Sequence, residues 1–196
     1  MIKIGIYGGA FDPVHIGHVR LARQAAAELK LDKLLIIPTS VSPHKENAQT
    51  SYDDRFRMLE LAFAEDKKFE ISDIEKHISG KSFTINTVRA LRDIYPSDAV
   101  FYLIIGADML FSFKKWYRYE ALLGECKVVA AAREEDSYVD MLEFANEIGR
   151  IKVLNLPVTE VSSTQIREKL AANEDVSSLV PQEVIDYINE KGLYKE

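Results

Sequence analysis

Short apolar runs alternate along this chain with segments whose apolar residues recur at helical spacing, and this alternation constrains the fold more than any other feature. A strand covered on both faces needs apolar side chains on both, so the runs predict buried strands. The predicted strands are residues 2–7, 34–37, 69–74, 100–105, 127–132 and 151–154. The predicted helices are residues 19–29, 51–63, 88–95, 137–148, 164–172 and 181–192.

This order of elements predicts an α/β fold. Strands that are apolar throughout and separated by helices favour an open, mainly parallel sheet with right-handed crossovers and helices on both faces. Beyond the last strand the pattern is helical only, so we expect a single domain over residues 1–196, with an α/β core over 1–160 and a helical C-terminal part over 161–196. The polar stretch 39–51 is expected to be a mobile loop.

Composition narrows the class of protein. With 47% hydrophobic and 29% charged residues and no long apolar segment, the chain reads as globular and not membrane-bound. A formal net charge of -6 argues against a nucleic-acid polymer as partner, although a small anion needs only a local positive site. The single cysteine, Cys126, is interpreted as a buried apolar residue, and with no export signal visible we expect a cytoplasmic protein.

The loop after the first strand carries the strongest indication of chemistry. Residues 8–18 read Gly-Gly-Ala-Phe-Asp-Pro-Val-His-Ile-Gly-His. Paired glycines let the backbone approach an anion, and a helix beginning near His18 would direct free amides towards it. The string matches neither the Walker pattern nor Gly-x-Gly-x-x-Gly. A pair of histidines alone would more often be structural, but His15 and His18 beside this loop favour a phosphate site.

Other residues stand out by position, each with a structural alternative. Ser162 with Gln165 fits a capping box, so Arg167 one turn later is either a second anion site or a solvated side chain. Asp108 follows a strand end, where it either caps a helix or accepts hydrogen bonds from a ribose. Trp116 is either a core residue or a stacking surface.

The motif Gly-Gly-x-Phe-Asp-Pro-x-His-x-Gly-His resembles that of the nucleotidylyltransferase superfamily, which has a Rossmann-like fold. Within it the chain is similar along nearly its whole length to the bacterial nicotinate-mononucleotide adenylyltransferases. Supporting strings occur at 43–45, 82–84, 106–108, 116–117, 133, 161–167 and 179–181. Two positions depart from the pattern: Ala10 stands where many relatives have a hydroxyl residue, and Ser42 where a second proline is common. We expect these departures to alter affinity rather than abolish activity, because the loop amides, and not that hydroxyl, supply most contacts to an anion.

The resemblance implies a role for each candidate residue. The implied catalytic residues are His15, His18, Lys45 and Arg167. The implied ATP-binding residues are Gly8, Gly9, Ala10, Phe11, His15, His18, Gly106, Asp108, Arg133, Ser162, Ser163, Thr164 and Arg167. The implied nicotinate-mononucleotide-binding residues are Gly8, Lys45, Thr84, Trp116 and Tyr117.

The reaction implied is attack by the phosphate of nicotinate mononucleotide on the α-phosphorus of ATP, with Mg²⁺ bound mainly through the ATP phosphates and no dedicated metal site. Three alternatives stay open: a nicotinamide-mononucleotide adenylyltransferase, a phosphopantetheine adenylyltransferase and a noncatalytic nucleotide sensor. The intact motif residues argue against the sensor. The sequence leaves the oligomeric state open, including a homo-oligomer.

Overall fold

The chain forms an α/β structure in which strands and helices alternate. The structure is a computed structural model that describes residues 1–41, 49–132, 135–156 and 161–195, with only the backbone of 135–137. Its strands are β1 (Lys3–Gly9), β2 (Lys33–Pro38), β3 (Phe69–Ile71), β4 (Val100–Gly106), β5 (Lys127–Ala132) and β6 (Ile151–Asn155). Its helices are α1 (Ile16–Glu28), α2 (Tyr52–Ala62), α3 (Thr84–Ile94), α4 (Ala107–Phe111), α5 (Tyr119–Glu125), α6 (Glu135–Ile148), α7 (Ser163–Ala171) and α8 (Gln182–Lys191).

All six strands pair in parallel, in the order β3-β2-β1-β4-β5-β6. The chain winds outwards from β1 in one direction and then from β4 in the other. Loops therefore diverge at the carboxyl ends of β1 and β4, and this crevice is where open α/β sheets bind ligands. The predicted fold class is confirmed.

Two apolar cores lie on opposite faces of the sheet, because successive strand residues point to opposite sides. Alternate residues of β1 divide in this way: Tyr7 packs with α1, α2, α7 and α8, whereas Ile4 and Ile6 pack with α3 to α6. Ile166 of α7 and Ile188 of α8 are fully buried in the first core. The helices after β6 thus complete one face of the sheet.

The structure differs from the sequence predictions in a few elements. The predicted strand 69–74 is shorter, since β3 ends at Ile71 and a 3-10 helix occupies Ile74–His77. Between Gly106 and Cys126 the sequence predicts a helix only as the alternative in which Asp108 is its cap, whereas the structure has α4, a 3-10 helix at Phe113–Lys115 and α5 there. Each of these pieces is a turn or two long, so each shows too little periodicity to be recognised. In the part of the chain that the structure describes, no helix has the length and apolar character needed to span a membrane.

Candidate active site

The loop between β1 and α1 presents two histidines at the start of a helix. Helix α1 begins at Ile16, three residues before the predicted range 19–29, because His15 serves as its N-cap. The Nδ1 atom of His15 accepts the backbone N–H of His18 at 3.4 Å, and Nδ1 of His18 accepts that of His15 at 3.3 Å. This reciprocal pair is a capping box made by imidazoles, and it fixes both rings relative to the helix end.

The hydrogen bonds of the capping box select one tautomer for each ring. An Nδ1 that accepts a hydrogen bond carries no proton, so the ring proton belongs on Nε2, which is then a donor. The two rings stack with centroids 3.6 Å apart. His15 is 4% exposed, while His18 is half-buried and reaches the surface. On this assignment the proton of each ring is on Nε2, and each Nδ1 is occupied by the capping box.

Packing around the histidines explains two other residues of the motif. The Phe11 ring is 2% exposed and meets the His18 ring edge-on at 5.0 Å. A Cβ on Gly9 would lie 3.1 Å from that ring, so the position favours glycine. Phe11 itself has a φ of 51°, a backbone conformation that non-glycine residues adopt rarely and that often occurs at functional sites. Phe11 thus offers a ligand only its backbone, whereas Gly8 and Ala10 are partly or fully exposed.

Helix α7 lies against the same loop and contributes the second group of candidate residues. Ser162 is its N-cap and forms the predicted capping box with Gln165. The Ser163 hydroxyl donates to the carbonyl of Pro13 at 2.9 Å. Nη1 of Arg167 donates to the carbonyl of Asp12 at 2.7 Å, and its Nη2 donates to the Thr164 hydroxyl at 3.2 Å. The structure therefore brings the amide-rich start of α7 and Arg167 to the loop that carries His15.

Arg167 retains one polar atom without a protein partner. Its Nε is buried and makes no hydrogen bond within the described residues. Buried donors are almost always paired in folded proteins, so such an atom calls for a ligand or water as its partner. The same guanidinium bonds Asp12 and Thr164, so Arg167 is not a merely solvated side chain.

Two charged residues at this site, Arg55 and Asp12, are buried, and their burial was not predicted from the sequence. Arg55 is 3% exposed and donates to the carbonyls of Ala10 at 2.8 Å and Thr39 at 3.0 Å, so it joins the β1–α1 loop to the end of β2. Burial lowers the pKa of Arg55, and the neighbouring Asp12 opposes that shift. Asp12 is 5% exposed and accepts hydrogen bonds from the far end of the chain. Charged residues in a polar loop or on a helix resemble solvated ones, so the sequence carries no sign of their burial.

The two ends of the polar stretch 39–51 are anchored. The Glu75 carboxylate accepts the N–H of Ser40 at 3.2 Å, and the Ser82 hydroxyl accepts the N–H of Val41 at 3.1 Å. At the other end, the N–H of Gln49 donates to Asp12 at 2.7 Å. Lys45 and the expected mobile centre of this stretch lie outside the described residues, as does Arg133.

A cluster of aromatic rings lies at the start of α3. Phe83, the N-cap of α3, supplies no side-chain cap, and its ring contacts that of Tyr117 at 4.6 Å. Phe83 directly precedes Thr84, the first residue of α3. Trp116 is half-buried and packs against Phe113 at 5.3 Å, so it is neither fully core nor fully exposed. Tyr117, one of the five residues assigned to the mononucleotide, is 47% exposed, and its ring contacts that of Phe83, which directly precedes Thr84.

The end of β4 lies next to β1 at the switch point of the sheet. Gly106 is the N-cap of α4, and Asp108 lies in the first turn with an exposed side chain. No side chain caps α4, so the interpretation of Asp108 as a helix cap is wrong. Its carboxylate is left facing solvent at the ligand-binding edge.

Among the residues that the structure describes, no three His, Cys, Asp or Glu side chains cluster as metal ligands. A cavity of about 550 Å³ lies at the opposite edge of the sheet, lined by Lys3, Lys127, Arg150 and Lys152 among others. There the Lys3 ammonium lies 3.5 Å from the carbonyl of Leu29, at the end of α1, where a cation is favourable. The candidate site is thus an open crevice at the carboxyl ends of the strands.

Comparisons with known proteins identify the family of the chain. The family model described as cytidylyltransferase-like matches residues 6–169. A probable nicotinate-nucleotide adenylyltransferase of Exiguobacterium sibiricum is 39% identical over 98% of this chain and 99% of its own. A protein of the same name from Geobacillus thermodenitrificans is 40% identical over 99% of this chain and 87% of its own.

Solved structures give the same fold. The nicotinic acid mononucleotide adenylyltransferase of Plasmodium falciparum, complexed with NaAD, matches with a TM-score of 0.83 at 20% identity, covering 99% of this chain and 98% of its own. A putative nicotinate-nucleotide adenylyltransferase of Vibrio parahaemolyticus matches with a TM-score of 0.73 at 25% identity, covering 100% and 97%. The chain therefore belongs to the cytidylyltransferase-like family, among bacterial enzymes named nicotinate-nucleotide adenylyltransferase.

Proposed function

We propose that this enzyme transfers AMP from ATP to nicotinate mononucleotide, giving nicotinate adenine dinucleotide and pyrophosphate as a step of NAD biosynthesis. The observation that carries the proposal is the pair of stacked histidines whose Nδ1 atoms cap α1, leaving Nε2 as the donor on each ring. Donors at the switch point of the sheet suit a transferring phosphoryl group. Relatives that align with 98% and 99% of the chain are named probable nicotinate-nucleotide adenylyltransferases.

The nucleophile in this reaction needs no general base. A phosphate monoester has a second pKa of about 6, so the mononucleotide phosphate is largely a dianion at neutral pH. One of its oxygens attacks the α-phosphorus of ATP, and the bond from that phosphorus to the bridging oxygen of pyrophosphate breaks. The electron pair leaves with pyrophosphate, and the enzyme forms no covalent intermediate. The work of the protein is alignment of the two substrates and stabilisation of negative charge.

Each part of the site has a role in this proposal. Backbone groups of residues 8–11 and the Nε2 donors of His15 and His18 face the phosphates of ATP, and the start of α7 with Arg167 holds the triphosphate from the other side. Gly106 and Asp108 are assigned to the ribose, because an exposed carboxylate after β4 can accept its hydroxyl hydrogen bonds. For Lys45 and Arg133 we keep the roles that the family resemblance implies. Lys45 is assigned to the phosphates and Arg133 to the adenine side of ATP.

Mg²⁺ is proposed to enter with ATP. Hard divalent cations of this size often keep several waters and bind chiefly through substrate phosphates. The described residues offer no cluster of carboxylates for it, and the Asp12 carboxylate already accepts hydrogen bonds from protein groups. The cation would therefore neutralise phosphate charge with little direct contribution from side chains. We place the enzyme in the cytoplasm, a reducing compartment that suits a chain whose single cysteine is buried.

The proposal is tested by the choice of acceptor. Pyrophosphate release is measured with nicotinate mononucleotide, nicotinamide mononucleotide and phosphopantetheine in parallel. We expect the acid to be preferred over the amide by about 10- to 100-fold in kcat/KM, because donors that bind a carboxylate are left unpaired by an amide nitrogen. Equal efficiency with acid and amide would contradict the substrate assignment, and turnover with phosphopantetheine alone would replace it.

Replacing Trp116 with alanine tests the mononucleotide side of the site. Loss of an aromatic face is expected to raise the KM for nicotinate mononucleotide by roughly 5- to 150-fold, by analogy with base stacking, while the KM for ATP stays within about 2-fold. Trp116→Phe retains a ring and should recover most of the affinity. If Trp116 acts only in the core, Trp116→Ala would instead lower the melting temperature and leave both KM values unchanged.

A further inference from the structure

The end of the chain turns back towards the β1–α1 loop. Helix α8 ends at Gly192, whose φ of 63° reverses the chain, and the N–H of Leu193 closes the turn on the carbonyl of Ile188 at 3.0 Å. Tyr194 follows with a φ of 61°. Its hydroxyl donates to Oδ1 of Asp12 at 2.6 Å, across 182 residues of sequence. The last turn of the chain is thereby tied to the loop that carries the histidines.

Asp12 is the centre of a saturated hydrogen-bond group. Besides Tyr194, its Oδ1 accepts the Thr50 hydroxyl at 2.6 Å, and its Oδ2 accepts the N–H of Gln49 at 2.7 Å. All three donors converge on a carboxylate that is 5% exposed. Burial, and then the bond to Asp12, raise the pKa of Tyr194, so its hydroxyl keeps its proton and remains a donor.

The backbone of the same residues is held from the other side. Arg167 donates to the carbonyl of Asp12 at 2.7 Å, and Ser163 donates to the carbonyl of Pro13 at 2.9 Å. Two residues later the chain reaches His15, which caps α1 and stacks on His18. Any displacement of Asp12 is therefore passed over a very short stretch of chain to both rings. Misplacement of a catalytic group by about 1 Å can cost about 100-fold in rate.

We propose that Tyr194 is a positioning residue for the histidine pair, acting through Asp12. Tyr194 holds the Asp12 side chain while α7 holds the Asp12 backbone, and together they fix the path of the loop into α1. The part of this proposal that concerns rate rests on the proposed function. The part that concerns the position of the histidine rings does not.

The first test compares two tyrosines whose hydroxyls donate to different carboxylates, Tyr194 to Asp12 and Tyr187 to Asp54. Tyr194→Phe removes the hydroxyl bonded to Asp12. The control, Tyr187→Phe, removes a hydroxyl of α8 that donates to Asp54 of α2 at 2.9 Å rather than to Asp12. Tyr194→Phe is expected to lower kcat about 10-fold with little change in the KM for either substrate, whereas Tyr187→Phe keeps kcat within about 2-fold. Equal losses in the two variants, or no loss with Tyr194→Phe, would overturn the proposal.

The second test uses NMR to detect a change in the surroundings of the histidine rings, and it does not depend on enzyme activity. The imidazole signals of ¹³C-labelled histidine are recorded by NMR and assigned by replacing each histidine singly. Tyr194→Phe should shift the signals of His15 and His18 and leave that of His77 in place, and Tyr187→Phe should shift none of them. If the rings shift but the protein lacks adenylyltransferase activity, the proposed function fails and the positioning role stands. Unmoved signals overturn the positioning role whatever the activity.

A double-mutant cycle tests whether Tyr194 acts through Asp12. Asp12→Asn keeps the shape of the side chain but turns one of its acceptors into a donor that faces other donors. If the two residues form one unit, Tyr194→Phe should lower kcat much less in the Asp12→Asn background than in the wild type. Independent, multiplicative losses in kcat would contradict a route through Asp12.

Discussion

His18→Asn is expected to lower kcat by about 100- to 1,000-fold, the scale for losing one donor to a transition state, while the melting temperature changes little. The reason lies in which nitrogen the fold already uses. Nδ1 of His18 accepts the N–H of His15 at 3.3 Å, and the side-chain oxygen of asparagine can take that place in the capping box. Asparagine has no atom where Nε2 lies, so it keeps the cap and loses the donor.

His18→Gln is the matched variant, because the amide nitrogen of glutamine reaches the position of Nε2. We expect it to recover at least about 10-fold of the lost kcat, although it gives up the Nδ1 bond. His15→Asn should behave as His18→Asn does, with the N-cap of α1 preserved. Recovery by asparagine but not by glutamine would show that capping is the only role of His18. Restoration of His18→Ala by added imidazole with the pH dependence of a base would reject the donor role.

Arg167→Ala is expected to lower kcat/KM for ATP by about 100- to 1,000-fold, since the guanidinium meets the charge on the triphosphate and on the leaving pyrophosphate. The variant Arg167→Lys keeps the charge but has no planar fork. It cannot bond the carbonyl of Asp12 and an anion in the same geometry, so we expect it to retain less than about a tenth of the wild-type kcat/KM. Steady-state kinetics at saturating nicotinate mononucleotide measures both values.

The control for Arg167 is an arginine at the opposite edge of the sheet. Arg150 is exposed and lines the cavity at the amino ends of the strands. Arg150→Ala should leave kcat/KM for ATP within about 2-fold, because a distant charge is screened in ordinary salt. An equal loss of kcat/KM in the two variants would mean that the effect is one of net charge. If Arg167→Ala stays active, the assignment of Arg167 to the triphosphate is wrong.

The fold was largely predictable from the sequence because burial on both faces of the sheet leaves a strong local pattern. The apolar stripe predicted for the first helix, Val19, Ala22, Ala26 and Leu29, is buried throughout. Elements of one or two turns leave no such pattern, so α4 and α5 were missed. The helices after β6 were expected as an extension, and only their burial shows that Ile166 and Ile188 belong to the core on one face of the sheet.

The motif residues of the site were predictable in identity, but not in what holds them. His15, His18, Ser162 and Arg167 follow from the motifs. Nothing in the local sequence shows that the imidazoles cap their own helix through Nδ1. The ties that Asp12 makes to Thr50 and Tyr194 span 38 and 182 residues, and such contacts follow from tertiary packing alone.

Direct transfer of AMP from ATP to nicotinate mononucleotide can be followed through a single turnover with ATP labelled at its α-phosphate. We expect the label to pass to nicotinate adenine dinucleotide in an amount equal to the pyrophosphate released, with none on the protein after rapid acid quenching. Label that is covalently attached to the protein before the dinucleotide forms would contradict it, as would pyrophosphate release without any labelled dinucleotide.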